Sequence, residues 1–224
     1  MLYDFKICHP QESRSRVINF IKSQRSLKPF TVVDVGGSFV GWSNEVTDCI
    51  VDFSLTSENR SQKVVFNFDI TGETGEGWTL IKKYVEEKGK FDFCICTHTL
   101  EDIINPVFVI RQIESIAKSG FISFPSKYAE FSRLHKHLGL QGRGYFHHRW
   151  VFDKSKENSI IAYSKVNYLE EPKFDALMDA SWACADLSFY WDTSIELEYA
   201  NNNRMGTDLE TFCKIYDPLF EHNY

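Results

Sequence analysis

No run within the 224 residues approaches the roughly 20 consecutive apolar positions that a membrane-spanning helix requires, so no membrane span is expected. The opening segment Met-Leu-Tyr-Asp-Phe-Lys-Ile-Cys carries an early aspartate and lacks the continuous apolar stretch of a secretory leader, and the natural reading is a cytoplasmic protein. Basic excess is missing too. A formal net charge of -6 argues against a domain built to cover a phosphate backbone, and no nucleic-acid partner is expected. The small basic group Lys127, Arg133, His135 and Lys136 reads as a solvated helix face. None of the six cysteines forms a CxxC pair, and Cys94 alternates with Cys96 inside an apolar run, which points to buried, reduced thiols. The six prolines and twelve glycines are scattered, so no linker divides the chain, and 43% hydrophobic residues suffice for one sizeable core. A single domain over residues 1–224 is expected.

What is present is an alternation of helices and strands. Val17, Phe20 and Ile21 lie at helical spacing within Pro10 to Gln24, ahead of the apolar run Phe30 to Val35. Cys49 to Phe53 and Val64 to Phe68 are short runs rich in β-branched and aromatic residues and read as buried parallel strands. Gly77 to Glu87 is a helix with Gly89 as its C-cap, followed by the strand Phe91 to Cys96. Asn105-Pro106 opens an amphipathic helix, with Gly120 as its stop before the strand Phe121 to Phe124. The pattern predicts an α/β fold: a Rossmann-like, mostly parallel sheet with helices on both faces. Further on, Tyr145 to Phe152 and Ser159 to Tyr163 fit a hairpin, Phe189 to Trp191 and Ile195 to Tyr199 another pair of short strands, and Asp208 to Tyr216 a closing helix. These extra C-terminal strands divide the domain into a core over about 30–125 and a cover over about 126–224.

In an open parallel sheet, ligands bind beyond the carboxyl ends of the strands. The segment Thr31 to Gly41 supplies a glycine loop there: Gly36 and Gly37 permit positive φ and close approach, and Asp34 and Ser38 add hydrogen-bonding groups. Asp52 is placed to accept from both hydroxyls of a ribose, and Asp69 from an adenine amino group. Each aspartate alone is as well read as a turn former or helix cap. Their series at successive strand ends favours an adenosine-containing ligand.

Val33-Asp-Val-Gly-Gly-Ser38 resembles the first motif of class I S-adenosylmethionine-dependent methyltransferases, and Phe91-Asp-Phe-Cys-Ile-Cys-Thr-His-Thr-Leu-Glu-Asp-Ile103 is similar to the segment around their fourth strand. The resemblance covers about residues 30 to 125. It implies S-adenosylmethionine as cofactor, with Asp34, Gly36 and Gly37 at its methionine part, Asp52 at the ribose and Asp69 at the adenine. Thr97 and His98 would line the wall near the sulfonium. Ser38 stands where the family has its second glycine. The stretch Pro125-Ser126, Glu130 and Gly144-Tyr-Phe-His-His-Arg-Trp150 is similar, more loosely, to small methyltransferases of glycan and polysaccharide modification, which implies a sugar hydroxyl as acceptor.

Transfer to a hydroxyl needs a base, and histidine titrates near neutrality. His98, His147 and His148 are the candidates. Glu130, Arg149 and Trp150 are the expected substrate residues: Arg149 to orient a hydroxyl or phosphate, Trp150 to pack on a sugar ring. On an extended segment only one of His147 and His148 faces a site; the pair with Glu130 or Glu101-Asp102 also invites a metal reading, but consecutive histidines rarely chelate one ion from a strand, so no metal is expected. Two other readings stay open. Gly36 to Gly41 also overlays a dinucleotide fingerprint lacking its middle glycine, which would make the chain an NAD-dependent enzyme, and a non-catalytic scaffold or partner protein would keep the fold without turnover. The expected partner is a small-molecule or glycan acceptor, and no oligomeric state is legible.

Overall fold

The computed structural model describes residues 1–53, 63–72, 76–140, 142–178, 182–201 and 208–220. Its strands are β1 (Leu2–Cys8), β2 (Val32–Val35), β3 (Cys49–Val51), β4 (Val64–Phe66), β5 (Phe93–Thr97), β6 (Ser119–Pro125), β7 (Trp150–Lys154), β8 (Ile160–Ser164), β9 (Asp186–Asp192) and β10 (Leu197–Tyr199). The helices are α1 (Pro10–Leu27), α2 (Glu76–Lys88), α3 (Pro106–Ile116), α4 (Lys127–Phe131) and α5 (Leu209–Tyr216). A seven-stranded sheet runs in the order β1-β9-β6-β5-β2-β3-β4, and every pairing is parallel except the two made by β9. This is a Rossmann-like α/β fold.

The central strands are apolar without alternation because both faces are covered. Val33, Val35, Cys49, Cys94, Cys96 and Ile122 pack with Ile81 of α2 and Val109, Ile110 and Ile113 of α3. Val32, Phe93, Ile95 and Phe121 turn the other way, onto Val17 and Ile21 of α1. Each such side chain, fully buried, contributes about 1.5–3 kcal/mol relative to an exposed one. The helix ends follow the sequence: Asn105 caps α3 by accepting from Phe108 N–H at 3.0 Å with Pro106 at the first turn, and Gly89 ends α2 at φ +85°.

The C-terminal third departs from expectation. β7 and β8 form the anticipated antiparallel hairpin, although β7 starts at Trp150 and residues 145–149 are not strand. β9 and β10 do not pair with each other. β9 enters the main sheet between β6 and β1, and β10 lies parallel to β8 in a separate three-stranded sheet. Trp191 is fully buried in β9. The small sheet sits between two cores: Phe152, Ile160 and Ala162 join the main one, while Val151 and Tyr163 face Phe131 of α4, Phe174, Tyr216 of α5 and Leu219. Lys127 is no solvated helix residue. It is 1% exposed, and its ammonium reaches Asp153 at 2.9 Å and the Leu219 carbonyl at 2.8 Å. Four cysteines are buried and all six are free thiols, but Cys184 is exposed and Cys213 half-buried.

Gly120 is not a helix stop. α3 already ends at Ile116, and Gly120 lies inside β6 where a Cβ would run into the Cys94 carbonyl and the Trp191 indole. Gly120→Ala is expected to destabilise the fold by about 1–3 kcal/mol through this overpacking, read as a lower urea midpoint with an unchanged slope. An unchanged midpoint would mean that the strands part at no cost.

Candidate active site

The chain leaves β2 towards β3 and β4, then returns to β5 on the other side of β2, so the crevice at the carboxyl ends of β2 and β5 is the topological switch point. A cavity of about 180 Å³ lies there, lined by Gly36, Asp52, Phe53, Asp69, Ile70, Thr71, His98, Thr99, Asp102 and Ile103. The strand ends β2, β3, β4 and β5 thus supply Gly36, Asp52, Asp69 and His98 in turn. Asp52 is fixed by its N–H donating to the Phe66 carbonyl of β4 at 3.2 Å. Asp69 shapes a turn by accepting at Oδ1 from the Thr71 N–H (2.8 Å) and hydroxyl (2.7 Å), and Ile70 is held by the Trp78 indole N–H on its carbonyl at 3.0 Å.

Gly36 has φ +79°, and any side chain there would collide with Thr99 on the facing loop after β5. The other predicted cofactor residues stand around this cavity rather than on it. Asp34 is 4% exposed, accepts a hydrogen bond from Ser43 Oγ, and fills the space a Gly37 side chain would need. Burial lifts its carboxyl from 3.8 to about 6, against the lowering effect of Ser43. Ser38 closes the loop by accepting at its carbonyl from Gly41 N–H at 3.2 Å, and Thr97 ends β5 with its carbonyl accepting from Thr99 Oγ1 at 3.1 Å.

His98 follows Thr97 in the left-handed region, φ +51°, a conformation rare outside glycine and worth attention where it lines a cavity. Its N–H donates to the Ser123 carbonyl at 3.0 Å, its Nε2 lies 2.9 Å from Asp186 Oδ2, and its Nδ1 lies 3.5 Å from Glu101 Oε1. It also borders a second cavity of about 280 Å³, lined by His9, Pro10, Gln11, Arg14, Pro125, Ala129, Tyr145, Cys184, Ala185 and Asp186. His98 therefore stands in the wall between the two. A larger cavity of about 380 Å³, between α3 and the β10 region, touches none of the predicted residues.

No protein-family model matches the chain, and no curated protein sequence does. Solved structures similar to it include the magnesium protoporphyrin IX methyltransferase of Synechocystis PCC 6803 with bound SAM, at 13% identity and TM-score 0.38 over 80% of this chain and 77% of that one. The methyltransferase domain of bacterial CtHen1-C aligns at 9% identity and TM-score 0.40, over 81% and 98%. The N-terminal domain of EvdMO1 with SAH bound aligns at 11% identity and TM-score 0.41, over 82% of each chain.

The other two histidines sit a short way along the same rim. Residues 145–149 form a turn tied to the loop after β5: Arg149 N–H donates to the Glu101 carbonyl at 2.7 Å, Arg149 Nε to the Asp102 carbonyl at 3.0 Å, and the Trp150 indole to the Ile103 carbonyl at 2.8 Å. The extended geometry expected for His147 and His148 is absent, and both rings converge on Asp102, whose Oδ1 is 3.8 and 3.7 Å from their Nε2 atoms. Glu130 is buried between His148 Nδ1 at 2.5 Å and Lys165 Nζ at 2.7 Å. Trp150 is half-buried on Tyr199, ring centroids 4.8 Å apart. The predicted substrate residues Glu130, Arg149 and Trp150 thus brace the histidine turn. Glu101 is 1% exposed, and burial together with the Asp102, Glu130 and Asp186 carboxylates pushes its pKa well up.

Sequence reasoning missed Asp186 and Arg14, and it quoted Tyr145 only within the Gly144 to Trp150 stretch. Asp186 lies 88 residues from His98 and is delivered by the unexpected insertion of β9. His9 and Arg14 arrive through α1, whose place is set by the unread strand β1.

Proposed function

We propose that the protein is an S-adenosylmethionine-dependent methyltransferase that methylates a hydroxyl of a glycan. One observation carries the reading: His98 separates a cavity edged by Gly36, Asp52 and Asp69 from one edged by Arg14, Tyr145 and Asp186. The first fits an adenosine-containing cofactor. It combines a glycine turn without room for a side chain, two carboxylates able to accept from hydroxyl and amino groups, and the apolar Ile70 and Ile103. Asp52 would hold the ribose, Asp69 the adenine, and the Gly36 loop the methionine part. Asp34 supports that loop from beneath. S-adenosylmethionine supplies an electrophilic methyl group.

The second cavity suits a polyhydroxylated acceptor, because Arg14, Gln11 and His9 offer polar groups beside the Tyr145 ring. Methyl transfer needs the acceptor oxygen held in line and relieved of its proton. His98 takes that proton, and buried Asp186 orients the ring and stabilises the imidazolium. The core over about 30–125 holds the cofactor, and the chain from 126 onward, with the start of α1, shapes the acceptor side.

Calorimetric titration with S-adenosylmethionine and, separately, NAD tests the first half of this reading. Binding of S-adenosylmethionine alone is expected. NAD alone would replace it with a dinucleotide enzyme, and neither would favour a scaffold. Asp52→Ala is expected to weaken S-adenosylmethionine roughly 10- to 100-fold by leaving two ribose hydroxyls unpaired. Equal affinity in the folded variant would remove Asp52 from the site. A panel of sugar acceptors assayed for methyl incorporation tests the second half.

A further inference from the structure

We propose that Asp102, His147 and His148 bind one divalent first-row transition-metal ion. One ligand atom from each lies within 4.8 Å of the others, with Asp102 Oδ1 at 3.8 Å from His147 Nε2 and 3.7 Å from His148 Nε2. Ligands around a tetrahedral ion at 2.0–2.1 Å stand about 3.4 Å apart, so closing the set takes shifts of about 0.4 Å for the Asp102 pairs and at most about 1.4 Å between the two histidines. The two histidines come from a turn whose three hydrogen bonds to the carbonyls of Glu101, Asp102 and Ile103 fix it against the carboxylate.

The surroundings are those of a metal ligand. His148 Nδ1 meets Glu130 Oε1 at 2.5 Å, and Glu130 is anchored in turn by Lys165 at 2.7 Å. A carboxylate on one ring nitrogen fixes the tautomer and turns the other, basic nitrogen outward, which is how ligating histidines are usually supported. A second observation is independent of His147 and His148. The Glu101 carboxylate, next to Asp102 in the chain and 1% exposed, makes no hydrogen bond at either oxygen, and His98 Nδ1 stands 3.5 Å from its Oε1. A cation held at Asp102 would lie beside this buried carboxyl and stabilise it.

Two imidazoles and one carboxylate favour zinc, cobalt or iron(II) over magnesium or calcium, which prefer all-oxygen sites. Three protein ligands leave a position open for water or an oxygen ligand. Asp102 also lines the Gly36 cavity, so the ion would sit on its rim. The site stands whether or not that cavity takes S-adenosylmethionine.

The test uses chelator-treated, cofactor-free full-length protein, titrated with Co²⁺ followed by its visible absorption and with Zn²⁺ by calorimetry. One ion per chain with a nitrogen-ligated cobalt spectrum is expected, and no binding of Mg²⁺ at the same concentrations. His147 is two-thirds exposed, so His147→Ala keeps the fold and is expected to weaken cobalt about tenfold or more, while Glu130→Gln weakens it ~10- to 100-fold through His148. Absence of saturable Co²⁺ and Zn²⁺ binding, or binding equally strong in His147→Ala and Asp102→Ala, would overturn the proposal. Because no cofactor is present in the titration, either failure leaves the methyl-transfer reading where it stands.

Discussion

His98→Ala is expected to lower kcat about 10²- to 10⁴-fold while the affinity for S-adenosylmethionine changes little. The size follows from the role, since a positioned base contributes only as the acceptor proton leaves. The selectivity follows from the geometry. In the proposed site Gly36, Asp52, Asp69 and Ile70 would form the adenosine side of the first cavity, and His98 lines both that cavity and the second. Alanine at φ +51° also costs a little stability, so the loss is read on folded protein at saturating cofactor. Asp186→Asn keeps the shape, removes the charge behind the ring, and is expected to lower kcat with unchanged cofactor affinity. Wild-type turnover in His98→Ala would dismiss it as the base and turn attention to His148, held by Glu130.

The second large effect concerns stability. With its carboxyl lifted to about 6 in the fold against an ordinary 3.8, Asp34 stays protonated in the folded chain while the unfolded chain ionises. Its contribution is intact below pH 4, declines as pH rises, and is gone above about pH 6, a difference of about 3 kcal/mol. Asp34→Asn has no such titration. The stability of the variant relative to wild type is therefore expected to rise between pH 4 and 7 and to level off above, measured by urea unfolding without cofactor. A pH-independent difference would place the Asp34 carboxylate in contact with water.

Most of the sheet and four of the ten residues lining the first cavity were legible in the sequence for one reason: strands covered on both faces are written as apolar runs, and the residue after each run stands at the carboxyl edge where ligands bind. Hence Gly36, Asp52, Asp69 and His98 meet. The place of the Asp34 carboxylate was not legible because it turns under the loop to Ser43, a packing fact without sequence signature. The convergence of His147 and His148 was hidden because the turn that carries them is fixed by carbonyls some 45 residues away. β1 went unread although Tyr3, Phe5 and Ile7 alternate with charged Asp4 and Lys6; its register shifts between Tyr3 and Lys6, as suits an edge strand.

That edge strand has a consequence for the order in which the molecule is made. Among the described strands β1 pairs with β9 alone, and β9 lies between β1 and β6. During synthesis the first strand must wait unpaired until residue 192 has left the ribosome, while β2 through β6 pair ahead of it. The exposed flank of β6 is then a docking slot open to any extended segment, including one from a neighbouring nascent chain. Slowed translation beyond residue 125 should therefore lengthen the interval in which this protein needs chaperone protection.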